Sequence, residues 1–345
     1  MNNNILIPRF RALVVDNSRI IGARGYKIYS YCKINHKLNY LYSVKDFKYS
    51  LLSKFSLLRR FFRAEITGLY TLNNGVDLVI AKKGIFKRET ESSVFLKCFD
   101  IPRGSRPLNL CVTPDSTVYF GEYFGNANKE QVHIYKTEDS GKTWTIAYTF
   151  PKGSINHIHG IFHDTFTNRI WVTTGDIDNE CMIGYTDDKF VTFTPLLKGG
   201  QQYRACFLLF FEDSIVYATD SQYIKNTINI IDRQTLEVKK AYEISGSGIY
   251  GGQSGSLCYV SSTIEPSNVN TEQYSHLYIS LDGKKWNDIV KYKKDVWHKS
   301  AFQFGSIQFP RYNLNKFDGG FVFSGRSLKY IDGKSVILKI SDERK

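Results

Sequence analysis

Thr137-Glu138-Asp139-Ser140-Gly141-Lys142-Thr143-Trp144 is the stretch of this sequence that decides the fold. It lies within a longer segment, 132–150, whose two halves are rich in the β-branched and aromatic residues that strands favour. The octapeptide has the chemistry of a tight turn. The Asp139 carboxylate can accept hydrogen bonds from turn amides, Gly141 can adopt a positive φ, and Trp144 can cover the hairpin. We therefore predict a β-hairpin closed by this turn.

Related turns recur along the chain at steps of about 44 to 50 residues, which is the length of a four-stranded propeller blade. They lie near 35–37, 89–92, 186–193, 232–234, 280–286 and 332–334. The composition agrees with sheets, since 15% of the residues are aromatic, including 23 Tyr and 24 Phe. The sequence predicts an all-β protein, a single β-propeller of about seven four-stranded blades that extends over residues 1–345.

The octapeptide resembles the Asp-box, or bacterial neuraminidase repeat, of the sialidase-like β-propeller superfamily, whose pattern is Ser-x-Asp-x-Gly-x-Thr-Trp. Here Thr137 replaces the Ser, and the copies at 186–193 and 280–286 are partial. The resemblance covers residues 107–340 and implies the fold, because in that superfamily the boxes lie on the outer part of the blades. Sialidases are expected to have an Arg-Ile-Pro motif near the start. The order Ile7-Pro8-Arg9 in this chain argues against sialidase activity itself.

An insertion lengthens the step between the first two turns. Within residues 47–63, Phe and Leu recur at helical spacing, with Lys and Arg among and opposite them. This pattern predicts one basic amphipathic helix between the first two blades. It either docks on the propeller with a solvated charged face or contacts a membrane surface or a partner.

Alignment of the repeats predicts which residues converge on the axis. The innermost strand of each blade lines the central channel, and the end of the second strand reaches the same funnel. Positions that are equivalent in different blades should therefore meet. The second-strand ends carry Glu122, Tyr123, Asp176, Asp220 and Arg326, and the first strands carry His157, His159, Tyr203, Arg204 and Gln253. Lys82 and Arg24 are weaker additions to the charged residues, and Tyr250 joins the tyrosines that could stack on sugar faces.

Five of these residues are candidates for catalysis: Glu122, His157, His159, Asp176 and Asp220. The histidines lie two apart on a strand and so face one side; they form a pair bonded to the backbone, an acid or base, or metal ligands. Asp176 belongs to an acidic loop that either binds a cation or is solvated. Glu122 is either an axial carboxylate or the partner of an arginine.

The remaining five are candidates for substrate binding: Tyr123, Tyr203, Arg204, Gln253 and Arg326. Arginine binds a carboxylate through a bidentate fork, so a cationic funnel suits a uronate or sialate sugar, and tyrosines can stack on sugar faces. The alternative is that the arginines only neutralise the axial acids.

The pattern favours a hydrolase or lyase that acts on an acidic polysaccharide. The sequence also resembles proteins of bacterial surface-polysaccharide gene clusters, and this resemblance implies a substrate of that kind. A non-catalytic glycan-binding or scaffold propeller is the alternative. The sequence identifies neither the sugar nor the reaction, and it assigns no cofactor and no metal.

The charge of the chain points to anionic partners. The net charge is +13 and the pI is about 9.3, which suits an acidic glycan or an anionic membrane surface. Nucleic acid is an unlikely partner because no nucleic-acid-binding motif is visible.

The N-terminus has no signal-peptide pattern and no segment has the roughly 18 apolar residues of a membrane span. We therefore expect a cytoplasmic location, with membrane association as an open alternative, and six cysteines present as buried free thiols.

Overall fold

The computed structural model describes residues 4–297, 302–313 and 320–339. Its strands form seven four-stranded antiparallel blades, which are numbered along the chain. Five are separate sheets, and the first two are joined by a short parallel pairing of Ser43 and Val44 with Val94 and Phe95, so that with one further strand they make a nine-stranded sheet. Strand β1 (Ile5–Ile7) belongs to the last blade. Blade 1 contains β2 (Arg11–Val15), β3 (Arg19–Arg24), β4 (Lys27–Cys32) and β5 (Leu38–Val44). Blade 2 contains β6 (Gly68–Thr71), β7 (Asp77–Ala81), β8 (Gly84–Arg88) and β9 (Val94–Asp100).

The middle blades repeat this arrangement without interruption. Blade 3 contains β10 (Cys111–Val112), β11 (Val118–Gly121), β12 (Val132–Thr137) and β13 (Thr145–Phe150). Blade 4 contains β14 (His157–His163), β15 (Ile170–Gly175), β16 (Met182–Thr186) and β17 (Thr194–Lys198). Blade 5 contains β18 (Leu209–Phe210), β19 (Ser214–Ala218), β20 (Thr227–Asp232) and β21 (Val238–Glu243).

Blade 6 contains β22 (Ser247–Ser254), β23 (Leu257–Thr263), β24 (Tyr274–Ser280) and β25 (Asn287–Lys293). Blade 7 contains β26 (Ser306–Gln308), β28 (Gly320–Arg326) and β29 (Ser335–Lys339), with β1 as its outermost strand. The short strand β27 (Arg311–Tyr312) pairs in parallel with β2. The seven blades and the helical insertion described below confirm the predicted fold class.

The hydrophobic core is divided into seven clusters, and each cluster lies between two adjacent blades. Ile7 and Val322 of blade 7, for example, pack with Ile20 of blade 1. The clusters therefore link the blades in a closed ring. Because no cluster belongs to one blade alone, each sheet depends on its two neighbours for burial of its faces.

The Asp-box turn connects the third and fourth strands of blade 3. Asp139 accepts hydrogen bonds from the Thr137 hydroxyl at 2.8 Å and from the Thr143 amide at 2.9 Å. Asp188 repeats this geometry in blade 4, where it accepts from the Thr192 amide at 2.9 Å. In that copy Phe190 replaces the glycine and still adopts a φ of 74°.

The last blade departs from the predicted spacing of turns. Residues 332–334 connect the second and third strands of blade 7 and so are not equivalent to the Asp-box turns. The fourth strand of this blade is β1, whose Leu6 pairs with Val336. The two parts of the chain that are farthest apart in sequence thus complete one sheet, and no turn joins them.

The insertion between blades 1 and 2 consists of two helices, α1 (Phe47–Ser53) and α2 (Ser56–Phe62), where we predicted one helix over 47–63. Helix α1 begins at the cap residue Asp46, whose carboxylate accepts from the Tyr49 amide at 2.9 Å. The buried residue of α2 is a charged one, Arg60. It donates to the Ser327 hydroxyl at 2.9 Å and pairs with Asp295 at 2.8 Å.

The six cysteines are free thiols, and three of them, Cys111, Cys181 and Cys258, are buried. The other three, Cys32, Cys98 and Cys206, are half-buried, so the prediction that all six are buried is wrong for these. Within the described ranges, no helix has the length and apolar character needed to cross a membrane.

Candidate functional site

Two sets of positions meet at one end of the propeller: the starts of the innermost strands and the ends of the second strands. Antiparallel pairing places them side by side, as where His157 of β14 pairs with Gly175 of β15. Ala205 and Thr219 are paired in the same way in blade 5. We call this end, defined by the starts of β2, β6, β10, β14, β18, β22 and β26, the axial mouth.

His157 and His159 lie at the axial mouth on β14 and are both buried. A β-bulge interrupts the pairing of β14 between Ile158 and Gly160, and such bulges re-aim side chains. The two imidazole Nε2 atoms are 3.2 Å apart. Each Nδ1 contacts a backbone carbonyl oxygen, that of Phe124 at 3.1 Å from His157 and that of Ala205 at 3.2 Å from His159.

Asp176 follows β15 and brings a carboxylate to the two imidazoles. Its Oδ1 lies 3.6 Å from His157 Nε2 and 3.8 Å from His159 Nε2. Its φ of 138° is a strained backbone conformation for a residue with a side chain. The Asn156 side-chain amide donates to Oδ2. Burial would raise the pKa of Asp176, but the histidines and Asn156 stabilise the carboxylate, and its pKa is lowered.

Burial and the neighbouring imidazole of His159 lower the pKa of His157 to about 4. The ring of Tyr123 packs against the His157 ring with 4.3 Å between the centroids. The pKa of the Tyr123 hydroxyl is raised by burial and by the nearby groups of Cys206, Asp220 and Asp176. Tyr123 therefore covers one side of the histidine pair as a neutral phenol.

Arg204 connects Asp176 to a second carboxylate. Its Nη2 lies 3.2 Å from Asp176 and 3.6 Å from Asp220. Burial opposes the charge of Arg204, but the two carboxylates raise its pKa. The Cys206 thiol donates to Asp220 at 3.4 Å, and burial together with that carboxylate raises the thiol's pKa well above its usual value. We call His157, His159, Asp176, Arg204, Cys206 and Asp220 the histidine cluster.

Glu265, at the end of the second strand of blade 6, is a neighbour of the histidine cluster that sequence reasoning missed. Burial and the Asp220 carboxylate raise its pKa. It accepts hydrogen bonds from Ser247 at 2.9 Å and from Gln222 at 2.7 Å. Correct alignment of blade 6 would have found it, because it occupies the position of Asp220 in blade 5.

A second group of charges surrounds Glu65, which lies just before β6 at the axial mouth. Arg11 donates to Glu65 at 3.1 Å, Arg326 donates to the same oxygen, and Arg59 lies 3.7 Å from the other oxygen. These guanidinium groups lower the pKa of Glu65 to about 2 although burial opposes the charge. Arg106 lies near the same carboxylate. We call Glu65, Arg11, Arg59, Arg106 and Arg326 the arginine cluster.

Positive charge exceeds negative charge in the arginine cluster. Burial and repulsion from Arg326 and Arg11 lower the pKa of Arg106 to about 9. Burial and repulsion from Arg326 also lower the pKa of Arg11 to about 10. The Tyr250 hydroxyl lies near the guanidinium groups of Arg11, Arg106 and Arg326. It accepts a hydrogen bond from the Gln308 side-chain amide at 2.8 Å. One pocket is lined by residues that include Arg11, Arg59, Glu65, Gln308 and Arg326.

Six of the ten predicted site residues lie together in or beside the histidine cluster: Tyr123, His157, His159, Asp176, Arg204 and Asp220. Arg326 lies in the arginine cluster instead. The alternative in which arginines neutralise axial acids describes Arg204, since it is paired with two carboxylates. It does not describe the arginine cluster, in which four guanidinium groups surround one carboxylate.

The other three predicted residues are held elsewhere. Glu122 is buried and paired with Arg103, and it accepts from the His133 amide at 2.9 Å, so the simple arginine partner is the correct alternative. Tyr203 ends a 3-10 turn (Gln201–Tyr203) and lies near Tyr217.

Gln253 lies at the far end of β22, where it accepts from the Phe210 amide at 3.2 Å. The sequence alignment of the repeats places Gln253 near the start of the innermost strand of blade 6. That strand, β22, begins at Ser247, so the alignment is five or six residues out of register there. The residue that this strand directs toward the arginine cluster is Tyr250.

The sequence comparisons give no family. No protein-family model matches the chain, and no curated protein matches it either. Solved structures match over nearly the whole length. A chain in the crystal structure of the mitotic checkpoint complex is 10% identical with a TM-score of 0.59, and the match covers 99% of this chain and 95% of that chain.

Two further solved structures give the same result. The WD40 β-propeller domain of Doa1 is 9% identical with a TM-score of 0.55, and the match covers 100% of this chain and 96% of that one. The extracellular domain of the one-component system BT4673 from B. thetaiotaomicron is 9% identical with a TM-score of 0.58, covering 98% of this chain and 42% of that one. At these identities the likeness shows the fold alone and confirms a β-propeller. The narrower resemblance to sialidase-like propellers stays a prediction.

Proposed function

We propose that the protein acts on an acidic carbohydrate, a uronate- or sialate-containing glycan, whose carboxylate it binds at the arginine cluster. The observation that carries this proposal is the excess of half-buried positive charge there. Among the residues that the structure describes, no carboxylate lies within ion-pair distance of Arg106, which donates to the Arg63 carbonyl oxygen at 3.4 Å; burial and repulsion from Arg326 and Arg11 lower its pKa. A bound carboxylate would relieve this repulsion and accept a bidentate pair of hydrogen bonds.

The surroundings of the arginine cluster suit a sugar. Tyr250 and Gln308 supply a hydroxyl and an amide that can bind sugar hydroxyl groups. Tyr250 also lies near enough to Tyr123 to affect its ionisation, so the two tyrosines connect the arginine cluster with the histidine cluster. A polysaccharide bound by one carboxylate would thus extend toward His157.

The histidine cluster supplies groups for cleavage of such a glycan. In a lyase, His157, whose neutral form is favoured by burial, would remove the proton beside a carboxylate that arginines neutralise. In a hydrolase, Glu265, with its raised pKa, would protonate the leaving oxygen beside the ionised Asp220. A non-catalytic glycan-binding propeller would use the arginine cluster alone.

Calorimetric titration tests the binding step. We expect uronate and sialate oligosaccharides to bind, their neutral counterparts not to bind, and Arg106→Gln to weaken binding at least about tenfold. Arg19→Gln is the matched control, because Arg19 is an exposed arginine paired with Asp16 at 2.8 Å. Equal affinity of neutral and acidic oligosaccharides, or an unaffected Arg106→Gln variant, would remove the proposal.

Incubation with the oligosaccharides that bind decides between the reactions. New reducing ends that carry the ultraviolet absorbance of an unsaturated uronate indicate a lyase. New reducing ends without that absorbance indicate a hydrolase. Binding without any product assigns the protein to the non-catalytic class.

We also propose that helices α1 and α2 contact an anionic membrane surface, because their apolar side chains are exposed. Phe47 is 88% exposed, Phe55 57% and Phe61 56%. The exposed surface continues from Phe61 through Phe302 to Trp297, with ring centroids 6.5 Å and 5.1 Å apart. Exposed basic residues flank it: Lys45, Lys48, Lys54 and Arg63. Aromatic residues beside basic ones are typical of helices that lie on anionic bilayers.

Flotation with lipid vesicles tests this contact. We expect the protein to float with phosphatidylglycerol vesicles more than with phosphatidylcholine vesicles, and the Phe47→Ser, Phe55→Ser, Phe61→Ser triple variant to stay in solution. The control is Ile34→Ser with Val191→Ser, since these apolar residues are 84% and 82% exposed on other blades. Equal flotation of the triple variant and the control would exclude the helices as the contact.

A further inference from the structure

The hydrogen bonds of the two histidines determine which ring nitrogens carry protons. A backbone carbonyl oxygen only accepts hydrogen bonds, and both Nδ1 atoms face such an oxygen, those of Phe124 and Ala205. Both Nδ1 atoms are therefore donors. In the neutral imidazole the proton on Nδ1 leaves Nε2 with a free lone pair. The Nε2 atoms of His157 and His159 thus direct lone pairs at each other.

Three electron-pair donors converge at this point. The two Nε2 atoms are 3.2 Å apart, and Asp176 Oδ1 lies 3.6 and 3.8 Å from them. These three atoms all lie within 4.8 Å of one another. With both imidazoles neutral, these atoms offer two nitrogen lone pairs and a carboxylate oxygen, which is a donor set that divalent transition metals bind.

The spacing fits a metal ion of the zinc class. Zinc binds imidazole nitrogen at about 2.0–2.1 Å in a tetrahedral site, which places two such nitrogens roughly 3.3 Å apart. The observed 3.2 Å between the Nε2 atoms matches this value. Two imidazoles with one carboxylate are also a ligand set that catalytic zinc sites use, with the fourth position left open.

The groups behind the ligands are arranged as in metal sites. Metal-binding histidines donate their other ring N–H to a carbonyl or carboxylate, which fixes the tautomer and the orientation of the ring. The carbonyls of Phe124 and Ala205 have this role here, and the Asn156 amide holds the second oxygen of Asp176.

The charge of the site is compatible with a cation although Arg204 is close. Arg204 lies 3.2 Å from Asp176 and 3.6 Å from Asp220, so one positive charge is set against two negative ones. The nearby Cys206 thiol donates to Asp220 and so is protonated rather than a thiolate ligand.

We infer that His157 Nε2, His159 Nε2 and Asp176 Oδ1 bind a divalent transition-metal ion, zinc being the probe of choice, with a fourth coordination position open to water or ligand. The inference goes beyond the proposed function, and in the metal-bound form His157 is a ligand, so the base of a lyase would have to be another group. It can be tested without any carbohydrate, so failure of the one leaves the other standing.

Metal content measures the site directly. Untagged protein is dialysed against ZnSO4, freed of loose metal and analysed by mass spectrometry; we expect one zinc per chain. His157→Ala, His159→Ala and Asp176→Asn should each weaken zinc binding about 100-fold or more. His163→Ala is the matched control, because His163 lies on the same strand and its Nε2 contacts Asn168 at 2.8 Å outside the site. Less than one bound zinc per two chains, or equal binding by the three variants and the control, would overturn the inference.

Spectroscopy on the unaltered chain gives a second readout in case a variant does not fold. Cobalt substitution should produce the intense visible absorbance of a four- or five-coordinate ion. Zinc should shift the Nε2 resonances of two histidines in ¹⁵N spectra, and these two should be Nδ1–H tautomers before zinc is added. A featureless cobalt spectrum, or ¹⁵N spectra in which zinc leaves the Nε2 resonances of both histidines unchanged, contradicts the site.

Discussion

Arg106 is the residue at which stability and binding are expected to conflict. Its half-buried charge lies near two other guanidinium groups, and the only carboxylate of the arginine cluster is already paired with Arg11 and Arg326. Relief of this repulsion by Arg106→Gln should raise the free energy of unfolding by about 1 kcal/mol. The same change should weaken carbohydrate binding. Urea unfolding measures the first effect, and a variant that is less stable than the parent would show that the hydrogen bond of Arg106 to the Arg63 carbonyl oxygen, at 3.4 Å, outweighs the repulsion.

Glu65 has the opposite role, because it is the carboxylate that holds the cluster together. Glu65→Gln leaves Arg11, Arg59 and Arg326 without their partner and should lower the free energy of unfolding by about 3 kcal/mol at pH 7. Urea unfolding at pH 7 measures this loss. Glu130→Gln is a suitable control, since Glu130 forms an exposed ion pair with Lys152.

The contribution of Glu65 should depend on pH in a defined direction. Its pKa is lowered from 4.5 to about 2 in the folded protein. A carboxyl group with a lowered pKa stabilises the fold fully above its unfolded pKa, and this stabilisation is lost as the pH falls through the folded pKa. The difference in stability between the parent and Glu65→Gln should therefore be constant above about pH 5 and shrink between pH 4.5 and pH 2. A difference that stays constant down to pH 2 would mean that Glu65 contributes through shape and not charge.

At the level of single elements, Phe190 both destabilises and stabilises its turn, through its backbone conformation and its buried ring respectively. Its φ of 74° costs about 1–2 kcal/mol for a residue with a Cβ, yet its ring is buried against Tyr119 and Tyr148. Loss of a buried phenylalanine ring costs about 3–5 kcal/mol, so packing outweighs strain. We expect both Phe190→Ala and Phe190→Gly to be destabilised. The glycine variant should be the more stable of the two by about 1 kcal/mol, because glycine adopts this φ without strain.

Thermal unfolding shows which of the two Phe190 variants is the more stable. The matched pair is Trp286→Ala and Trp286→Gly, in the turn of blade 6, where the tryptophan is buried but has no positive φ. There the order should be reversed, with alanine the more stable. The same order at both positions would show that backbone strain is not what distinguishes Phe190.

The elements could be predicted from the sequence where local chemistry determines them. The turn at 137–144 contains its own hydrogen-bond partners, so its residues alone specify the hairpin.

Helices α1 and α2 could not be predicted as well, because spacing shows which residues share a face but not which face is buried. Arg60 is buried because its guanidinium group pairs with Asp295 and donates a hydrogen bond to Ser327, which both lie more than 200 residues later in the sequence. Gln253 was misplaced because nothing in the glycine-rich sequence of β22 marks where the strand begins.

The candidate site was predictable to the extent that the repeat was regular. His157, Asp176, Arg204 and Asp220 belong to blades 4 and 5, whose strands align well, and they do meet. The arginine cluster was missed because most of its residues precede or begin the first three blades, where the repeat is weakest. Their approach depends on closure of the ring, which no local pattern encodes.

For the molecule as a whole, the closing strand β1 should control stability. Ile7 is 3% exposed and packs between blades 7 and 1, whereas Leu6 on the same strand is 48% exposed. Ile7→Asp buries a charge at the junction and should lower the free energy of unfolding by about 3 kcal/mol or more. Leu6→Asp should change it by less than about 0.5 kcal/mol. Calorimetry distinguishes them, and equal melting temperatures would show that β1 does not hold the ring closed.

The place of β1 in the last blade also determines when the ring can form during synthesis. Ile5–Ile7 are synthesised about 330 residues before their pairing partners on β29, Ser335–Ile337. At roughly 5–20 residues per second, β1 waits on the order of 20 to 60 s for its partner. Until β29 has been made, the apolar face of blade 1 that blade 7 will cover is open to water, and so is that of blade 6 once blade 6 has been made. The incomplete chain therefore exposes most apolar surface after blade 6 and before β29, and the ring cannot close earlier.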